Sequence, residues 1–303
     1  MRVIITGGTG LIGKALAARL AEEGHEPIVL TRDPEKAKGD LPAGVRAAGW
    51  DGKTGAGWSQ LIDAGTTIVH LAGAGVADER WTPSRKREIR DSRLASGAAV
   101  LAAIREAPAK PRALLQSSAV GYYGPRGDET VDENEPPGTT FLAKVCVEWE
   151  ESTRAVEEQG IRRALLRTGL VLTPEGGALG KMLLPAKLGA NGPLGSGRQG
   201  FPWIHLEDEI GAIRFLIDRE DASGPFNLTA PNPPSQAEFA QALGRVIHRP
   251  SFLPAPAFAL RLALGEMADM LLSGHRVVPK RLLELGYRFR FPDLEGALRD
   301  LLS

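Results

Sequence analysis

The sequence predicts an α/β protein, a doubly wound parallel sheet joined to a smaller, mostly helical C-terminal domain. Three observations predict it. Short β-branched runs alternate with helical patterns through the first half of the chain, as βαβ units require. A glycine turn follows the first of these runs directly. Beyond residue 230 the patterns are helical only.

The elements follow in order. Val3, Ile4, Ile5 and Thr6 make the first strand, and residues 11–23 a helix that Gly24 stops. Residues 27–31 and 45–48 are the second and third strands, and 66–71 the fourth. A long helix over 84–106 places Ser84 at its N-cap. Residues 112–117 form the fifth strand, 140–159 a helix and 162–168 the sixth strand. Residues 174–200 are rich in glycine and read as a long loop, a feature that is usually functional. A helix over 206–218 and a strand over 225–229 complete the first domain. We therefore expect a dinucleotide-binding domain over 1–230, with substrate-domain insertions in about 174–205, and a small helical domain over 231–303.

Composition narrows the function. The 303 residues carry 37 Lys+Arg and 37 Asp+Glu, a formal net charge of zero. That balance gives no general attraction for nucleic acid or an anionic membrane. Arg85, Lys86, Arg87, Arg90 and Arg93 read as the solvated face of the long helix, without the aromatic interleaving of a nucleic-acid site. Cys146 is the only cysteine, so no intrachain disulfide forms, which fits a reducing cytoplasm. The opening apolar run is too short for a secretory signal. Arg261, Glu266 and Asp269 argue against a membrane span in the apolar stretch over 254–272. The five histidines are scattered, and no spacing suggests a metal site.

The glycine turn carries the strongest signal. Gly7, Gly10 and Gly13 lie between the first strand and the first helix. One glycine makes the tight turn, one lets the backbone approach a pyrophosphate, and one permits close packing of helix on strand. The pyrophosphate would sit on the free N–H groups of the helix start. Gly7, Thr9, Gly10, Leu11, Ile12 and Gly13 are the candidate cofactor contacts, which makes the fold a nucleotide-binding Rossmann fold. At the end of the second strand stand Thr31, Arg32 and Asp33, with Arg32 19 residues beyond Gly13. A guanidinium there pairs with a ribose 2′-phosphate, whereas an acidic side chain would serve the 2′-hydroxyl of NAD. The sequence thus favours NADP(H) over NAD(H), with Asp33 as the feature that keeps NAD(H) open.

Further motifs carry a resemblance. His70-Leu71-Ala72-Gly73-Ala74, the run from Ser117 and Ser118 to Gly124, and Leu166-Arg167-Thr168-Gly169 resemble motifs of the extended short-chain dehydrogenase/reductase superfamily of epimerases and dehydratases. The runs 195–199, 203–208, 264–266 and 279–283 resemble an atypical subgroup, the YfcH-like epimerase-family proteins. The resemblance spans nearly the whole chain. It implies that Leu71, Ala72, Gly73, Ser117, Lys144 and Arg167 flank the cofactor. It implies oxidoreductase or epimerase chemistry on a small polar substrate that it does not identify. Some members have been described as cell-division inhibitors.

The catalytic pattern departs from the superfamily's Tyr-x-x-x-Lys pair, in which the tyrosine exchanges a proton with substrate as hydride moves. Lys144 is present, but Thr140 stands four residues before it and Phe141 three before. A threonine hydroxyl is too weak an acid for the role. Ser118, Tyr122 and Lys144 remain the catalytic candidates, with Tyr123 as a second nearby phenol. His205 either faces substrate or caps the helix after it. Arg198, together with Lys181 and Lys187, could meet an anionic substrate, and His70 reads as structural. Two functions stay open: an NADP(H)-dependent epimerase or reductase, and a regulatory protein that holds NADP(H) without turnover.

Overall fold

The computed structural model describes residues 1–127 and 129–303. Its centre is a seven-stranded sheet of β1 (Arg2–Thr6), β2 (Glu26–Thr31), β3 (Arg46–Gly49), β4 (Thr67–His70), β5 (Ala113–Ala119), β7 (Arg162–Thr168) and β10 (Gly224–Leu228). The spatial order is β3-β2-β1-β4-β5-β7-β10, and every pair is parallel. Because β4 lies on the far side of β1 from β2, the strand order reverses at β1. A crevice at the carboxyl ends is where such sheets bind ligands.

The strands are apolar on both faces because helices cover both. On one face Val3, Ile5, Val69, Leu115 and Leu166 pack against α1 (Leu11–Glu22) and α7 (Leu206–Asp218). On the other, Ile4, Ile28, Ile68 and Leu114 pack against α3 (Pro83–Glu106), with Trp58 and Val156 closing the layer. Val156 belongs to α5 (Ala155–Glu158), which follows α4 (Phe141–Glu151); α2 (Pro34–Lys38) follows β2. Where α3 and α4 cross, a Cβ on Gly97 would meet the Ser152 side chain, so the glycine sets the approach.

The second lobe is assembled from separated segments. β8 (Leu170–Leu172) pairs with β9 (Trp203–His205), and β6 (Thr130–Val131) pairs with β11 (Arg276–Val277). Around them lie α6 (Gly177–Lys187), α8 (Gln236–Val246), α9 (Ala257–Leu264), α10 (Asp269–Leu272), α11 (Lys280–Glu284) and α12 (Leu294–Leu302). Leu172, Leu179, Trp203, Phe239, Leu243 and Leu298 form its core, with Phe201 stacked on Phe239 at 4.1 Å.

Several boundaries differ from the sequence reading. Helix α3 is capped by Thr82, whose side chain accepts from the Arg85 N–H, with Pro83 at the first helical position. The helix expected over 140–159 stops at Glu151, where the Ser152 hydroxyl donates to the Trp149 carbonyl. The glycine-rich stretch contains α6, which forms despite Gly180 and Pro185 and buries Leu179 and Ala186. The apolar stretch over 254–272 breaks at Gly265, whose φ is +61°. Among the described residues, no helix is long and apolar enough to cross a membrane.

Candidate dinucleotide cleft and its neighbours

The glycine turn sits at the switch point. Gly7 has φ +69°, and a Cβ there would lie 2.9 Å from the Leu71 carbonyl carbon. A Cβ on Gly13 would lie 2.5 Å from the Gly7 oxygen, and one on Gly8 2.6 Å from Val29. These three glycines are required by packing within the protein. Gly10 is different. It is exposed with an ordinary φ of −80°, and its only close neighbour would be the Gly7 oxygen at 3.3 Å. Its lack of a side chain leaves open the approach to the start of α1. There the first helical bond runs from Lys14 N–H to Gly10 C=O, which leaves the N–H groups of Leu11, Ile12 and Gly13 ahead of the ladder. No side chain caps this end, and no acidic residue lies in its first turn. The terminus is open to an anion. Thr9 stands exposed beside it.

Thr6 ties the turn to β4. Its hydroxyl accepts from the N–H groups of Leu71 and Ala72 at 3.2 Å and lies 2.7 Å from His70 Nδ1. This pattern assigns the imidazole proton to Nε2, which faces the Ser96 hydroxyl at 3.4 Å. Burial, helped by Arg93, pushes the His70 pKa down to about 4. His70 is a neutral fastening for the segment Leu71, Ala72 and Gly73 that borders the cleft.

At the end of β2, Arg32 is exposed and makes no ion pair among the described residues. Asp33 caps α2, accepting from the Lys36 N–H at 3.1 Å, and its own N–H donates to the Thr31 hydroxyl. The acidic side chain that could have served a ribose diol is thus engaged in a helix cap, and the guanidinium beside it is free.

Around β5 the structure separates residues that the sequence grouped. Ser118 is buried and donates to Glu150 Oε1 at 2.6 Å. Arg167 binds the same carboxylate through Nε and Nη2, both at 2.9 Å, and donates to the Tyr123 hydroxyl at 3.1 Å. Tyr123 donates to Asn227 Oδ1 at 2.6 Å. Burial opposes the Arg167 charge, but Glu150 and Tyr123 hold its pKa above the ordinary value. Burial pushes the Tyr123 phenol up to about 12, against Arg167 and Asn227. Ser118, Arg167 and Tyr123, expected at catalyst, cofactor and substrate, lie in one buried network, in which Ser118 and Arg167 share Glu150 and Arg167 reaches the Tyr123 hydroxyl. Ser117 lies on the opposite face of β5 and is half-buried. Tyr122 is half-buried, with the Arg167 guanidinium 3.5 Å over its ring, and its hydroxyl has no hydrogen-bond partner among the described residues.

Thr140 is the N-cap of α4, its hydroxyl accepting from the Ala143 N–H at 3.2 Å. The residue in the tyrosine's place therefore serves the helix. Lys144 is exposed on the first turn without an ion pair among the described residues. Cys146, two residues on, is buried, and burial pushes its thiol up to about 11.

His205 was expected at substrate or at a helix cap, and it is the cap. Its Nδ1 accepts from the Glu207 N–H at 3.0 Å, its ring stacks on Phe291 at 3.9 Å, and Nε2 lies 3.3 Å from Asp300. Both ring nitrogens face protein groups, and the residue is 2% exposed. Arg198 is exposed on the loop before β9. Lys181 donates to the Ala77 carbonyl at 2.7 Å and joins α6 to the segment after β4. Among the described residues, no group of three or more His, Cys, Asp or Glu side chains could hold a metal ion.

Among the buried charges that the sequence reading missed are Arg85, Arg93 and Glu209. Arg85 and Arg93 are not on a solvated face: they are 8% and 9% exposed. They share a stripe with Ile89, Ser96 and Val100, a spacing that was legible in the sequence. Glu209 is fully buried, accepts from the Thr168 hydroxyl at 2.9 Å, and burial raises its pKa to about 8.

Fold and cleft together define a nucleotide-binding α/β protein of the doubly wound class, and comparison with known proteins places it more narrowly. The model of the NAD dependent epimerase/dehydratase family matches residues 3–229, and a Domain of unknown function (DUF1731) matches residues 255–301. The chain belongs to the NAD-dependent epimerase/dehydratase family. It is 40% identical over 309 residues to the chloroplastic epimerase family protein SDR39U1 homolog of Arabidopsis thaliana, covering 100% of this chain and 87% of that one. The crystal structure of human epimerase family protein SDR39U1 (isoform 2) with NADPH superposes with a TM-score of 0.89 at 34% identity, covering 99% of both chains. A nucleoside-diphosphate sugar epimerase of Corynebacterium glutamicum matches with a TM-score of 0.77 at 32% identity, covering 100% of this chain and 58% of that one.

Proposed function

We propose that this chain binds NADP(H) across the carboxyl ends of β1, β2 and β4 and acts as an epimerase or reductase on a small polar substrate. The observation that carries the cofactor reading is the open start of α1 at Gly10, with an unpaired Arg32 at the end of the neighbouring strand. A pyrophosphate fits the N–H groups of the helix start, and a 2′-phosphate fits the guanidinium. The human relative solved with NADPH supports the phosphorylated form. When bound, the nicotinamide supplies or accepts a hydride. Within the chain, the Tyr122 hydroxyl is the phenol left open to hold or give a proton, and Lys144 is free to meet ribose hydroxyls. The lone buried cysteine supports a reducing, cytoplasmic location.

A second reading, in which the protein holds NADP(H) for a regulatory purpose without turnover, is favoured by Thr140. Its hydroxyl is occupied in a helix cap, and it stands where the family's proton donor would be.

Titration of NADPH and NADH into wild type and Arg32→Ala tests the first step. We expect Arg32→Ala to weaken NADPH by about tenfold or more, the loss of a charge-assisted contact, and to leave NADH within twofold. Equal affinities in wild type, unchanged by the substitution, would overturn the assignment. Turnover of NADPH with carbonyl compounds or sugar nucleotides, lost in Tyr122→Phe, separates enzyme from regulator. Tight binding without turnover across that panel supports the regulator.

A further inference from the structure

Exposed apolar side chains gather on one face of the second lobe. Nine large apolar side chains are exposed among the described residues, and six of them are Leu184, Leu188, Phe252, Leu253, Phe258 and Leu262. They lie on α6 and just past its end, on α9, and on the segment before α9. Helix α9 is apolar at seven of its eight positions, yet none of its residues is buried. A helix apolar all round belongs in a core. Phe258 is 75% and Leu262 80% exposed, so the partner that covers them lies outside the chain.

The face begins at the border of the cleft. Lys181, Leu184 and Leu188 recur at three and four residues, one side of α6. Lys181 donates to the Ala77 carbonyl, in the segment that leaves β4. Phe258 and Leu262 share a side of α9, which ends at Gly265, where a Cβ would lie 3.2 Å from Nη2 of Arg80. Trp81 comes next in that segment, its ring edge-on to Phe141 with centroids 5.3 Å apart. Phe141 stands three residues before Lys144 on the first turn of α4. Apolar side chains therefore lead from Lys144, through Phe141 and Trp81, to the near ends of both helices. From there each helix extends about 10 Å. The far end of α6 meets the segment before α9, where Arg249 donates to the Lys187 carbonyl at 3.0 Å.

Charge narrows the occupant. Residues 176–206 and 239–265 hold six Lys and Arg and no Asp or Glu, in a chain whose totals are equal. Arg245 and Arg261 pair with Glu295 and Asp269. Lys187, Arg198 and Arg249 have no ion pair among the described residues, and neither has Arg80. A second copy on this face would set cations against cations, whereas an anion is attracted. A flat surface would touch α9 but would not reach Phe141 and Trp81; a single flexible chain can follow the whole path.

We propose that this face holds the apolar tail of the substrate, and that the substrate class is single-chain amphipathic anions, fatty acids and their acyl derivatives. The proposal rests on the cleft reading for the reacting end, which stays polar and lies at Tyr122 and Lys144. The tail runs past Phe141 and Trp81 onto the exposed sides of α6 and α9. Arg80 and Lys181 draw the acidic group toward the near end of the face.

The test uses the full chain and reads binding by calorimetry. Butyrate, octanoate and dodecanoate, each below its micelle concentration, are titrated into wild type, Leu184→Ser, Leu262→Ser and Trp81→Ala, with and without saturating NADPH. UDP-glucose is the polar comparison. Dodecanoate should bind once per chain, and affinity should rise at least tenfold from butyrate to octanoate as methylenes leave water. Leu184→Ser and Leu262→Ser change exposed side chains and keep the fold. Each should weaken dodecanoate at least fivefold and leave NADPH within twofold. Trp81→Ala, its folding checked by its melt, should weaken dodecanoate likewise. Affinity independent of chain length, several dodecanoates per chain, or unchanged affinity in both serine variants overturns the proposal. So does a folded Trp81→Ala that binds dodecanoate as wild type does, since the tail would then lie away from the cleft. A wild type that binds UDP-glucose and ignores dodecanoate overturns it too, as does one that ignores dodecanoate but forms dimers or binds phosphatidylglycerol vesicles in a Leu262-dependent way. Failure of the cofactor reading looks different: wild type ignores NADPH, while dodecanoate binds with the same dependence on chain length and on Leu184 and Leu262.

Discussion

Gly10→Ala separates a glycine kept for a ligand from glycines kept for packing. In the protein alone, the added methyl meets only the Gly7 oxygen at 3.3 Å, at an ordinary φ. The remaining cost is that of alanine at a helix N-cap, about 1 kcal/mol. For 303 residues the unfolding entropy is on the order of 0.6 kcal/mol/K, so the ligand-free Tm falls by about 1–2 °C. Binding suffers more. The methyl occupies the approach to the free N–H groups of Leu11, Ile12 and Gly13, and a lost contact to a charged phosphate costs about 1.5–3 kcal/mol. NADPH affinity therefore falls by roughly 10- to 150-fold. At NADPH one hundred times the wild-type Kd, wild type gains about 2.7 kcal/mol, or about 4 °C. A hundredfold weaker variant gains about 0.4 kcal/mol, under about 1 °C. Thermal melts with and without NADPH read both quantities. A Gly10→Ala protein that keeps the full NADPH-induced rise would refute the pyrophosphate cradle. Gly13→Ala is the contrast: its Cβ would sit 2.5 Å from backbone atoms, so its effect appears in the ligand-free melt.

Other outcomes follow from the buried groups. His205→Ala removes the cap and a buried ring stacked on Phe291, together about 2–4 kcal/mol, so Tm drops by about 3–6 °C while NADPH affinity and any turnover are unchanged; a selective loss of turnover would return His205 to the substrate. Glu150→Gln leaves Arg167 buried without its carboxylate, a cost of about 3–5 kcal/mol that lowers Tm by about 5–8 °C, and a change under about 2 °C would show the pair to be dispensable. Glu209 has a folded pKa near 8, above its ordinary value, so the folded state holds a proton that the unfolded chain releases. Stability from this group is complete at low pH and falls as pH rises through the window from about 4.5 to 8, with a slope of up to about 1.4 kcal/mol per pH unit. Glu209→Gln should flatten that decline in calorimetric melts from pH 5 to 8, and parallel curves for the two proteins would count against it.

The binding half of this protein was legible because it is local. Gly7, Gly10 and Gly13 are contiguous with the strand and helix they join, and periodicity alone marks the strands of the sheet. Side-chain roles were less legible because their partners lie far along the chain. Ser118 is fixed by Glu150, 32 residues away, and Tyr123 by Asn227, 104 residues away. Neither partner carries a motif. Arg93 sits in a run of charges that reads as a solvated face, and only its spacing from Ile89 and Val100 hints otherwise. Helix starts were misread where a proline or a polar neighbour shifted the cap, as at Thr82 and Pro83.

Thr140 shows how the two kinds of information meet. The sequence identifies it as a missing acid. The structure adds that the position is the N-cap of α4, where threonine is a favoured residue and tyrosine is not. The substitution therefore exchanges a proton donor for a helix cap. The lysine four residues later survives, exposed and without an ion pair among the described residues. Any acid that works with it must come from outside α4. Tyr123 is engaged and too weakly acidic. Tyr122, packed under the Arg167 guanidinium with no hydrogen bond to its hydroxyl among the described residues, is the phenol that remains. The proposed catalysis would therefore turn on a side chain held by the Glu150–Arg167 pair, and a substrate that never meets Tyr122 would leave only the binding half in use.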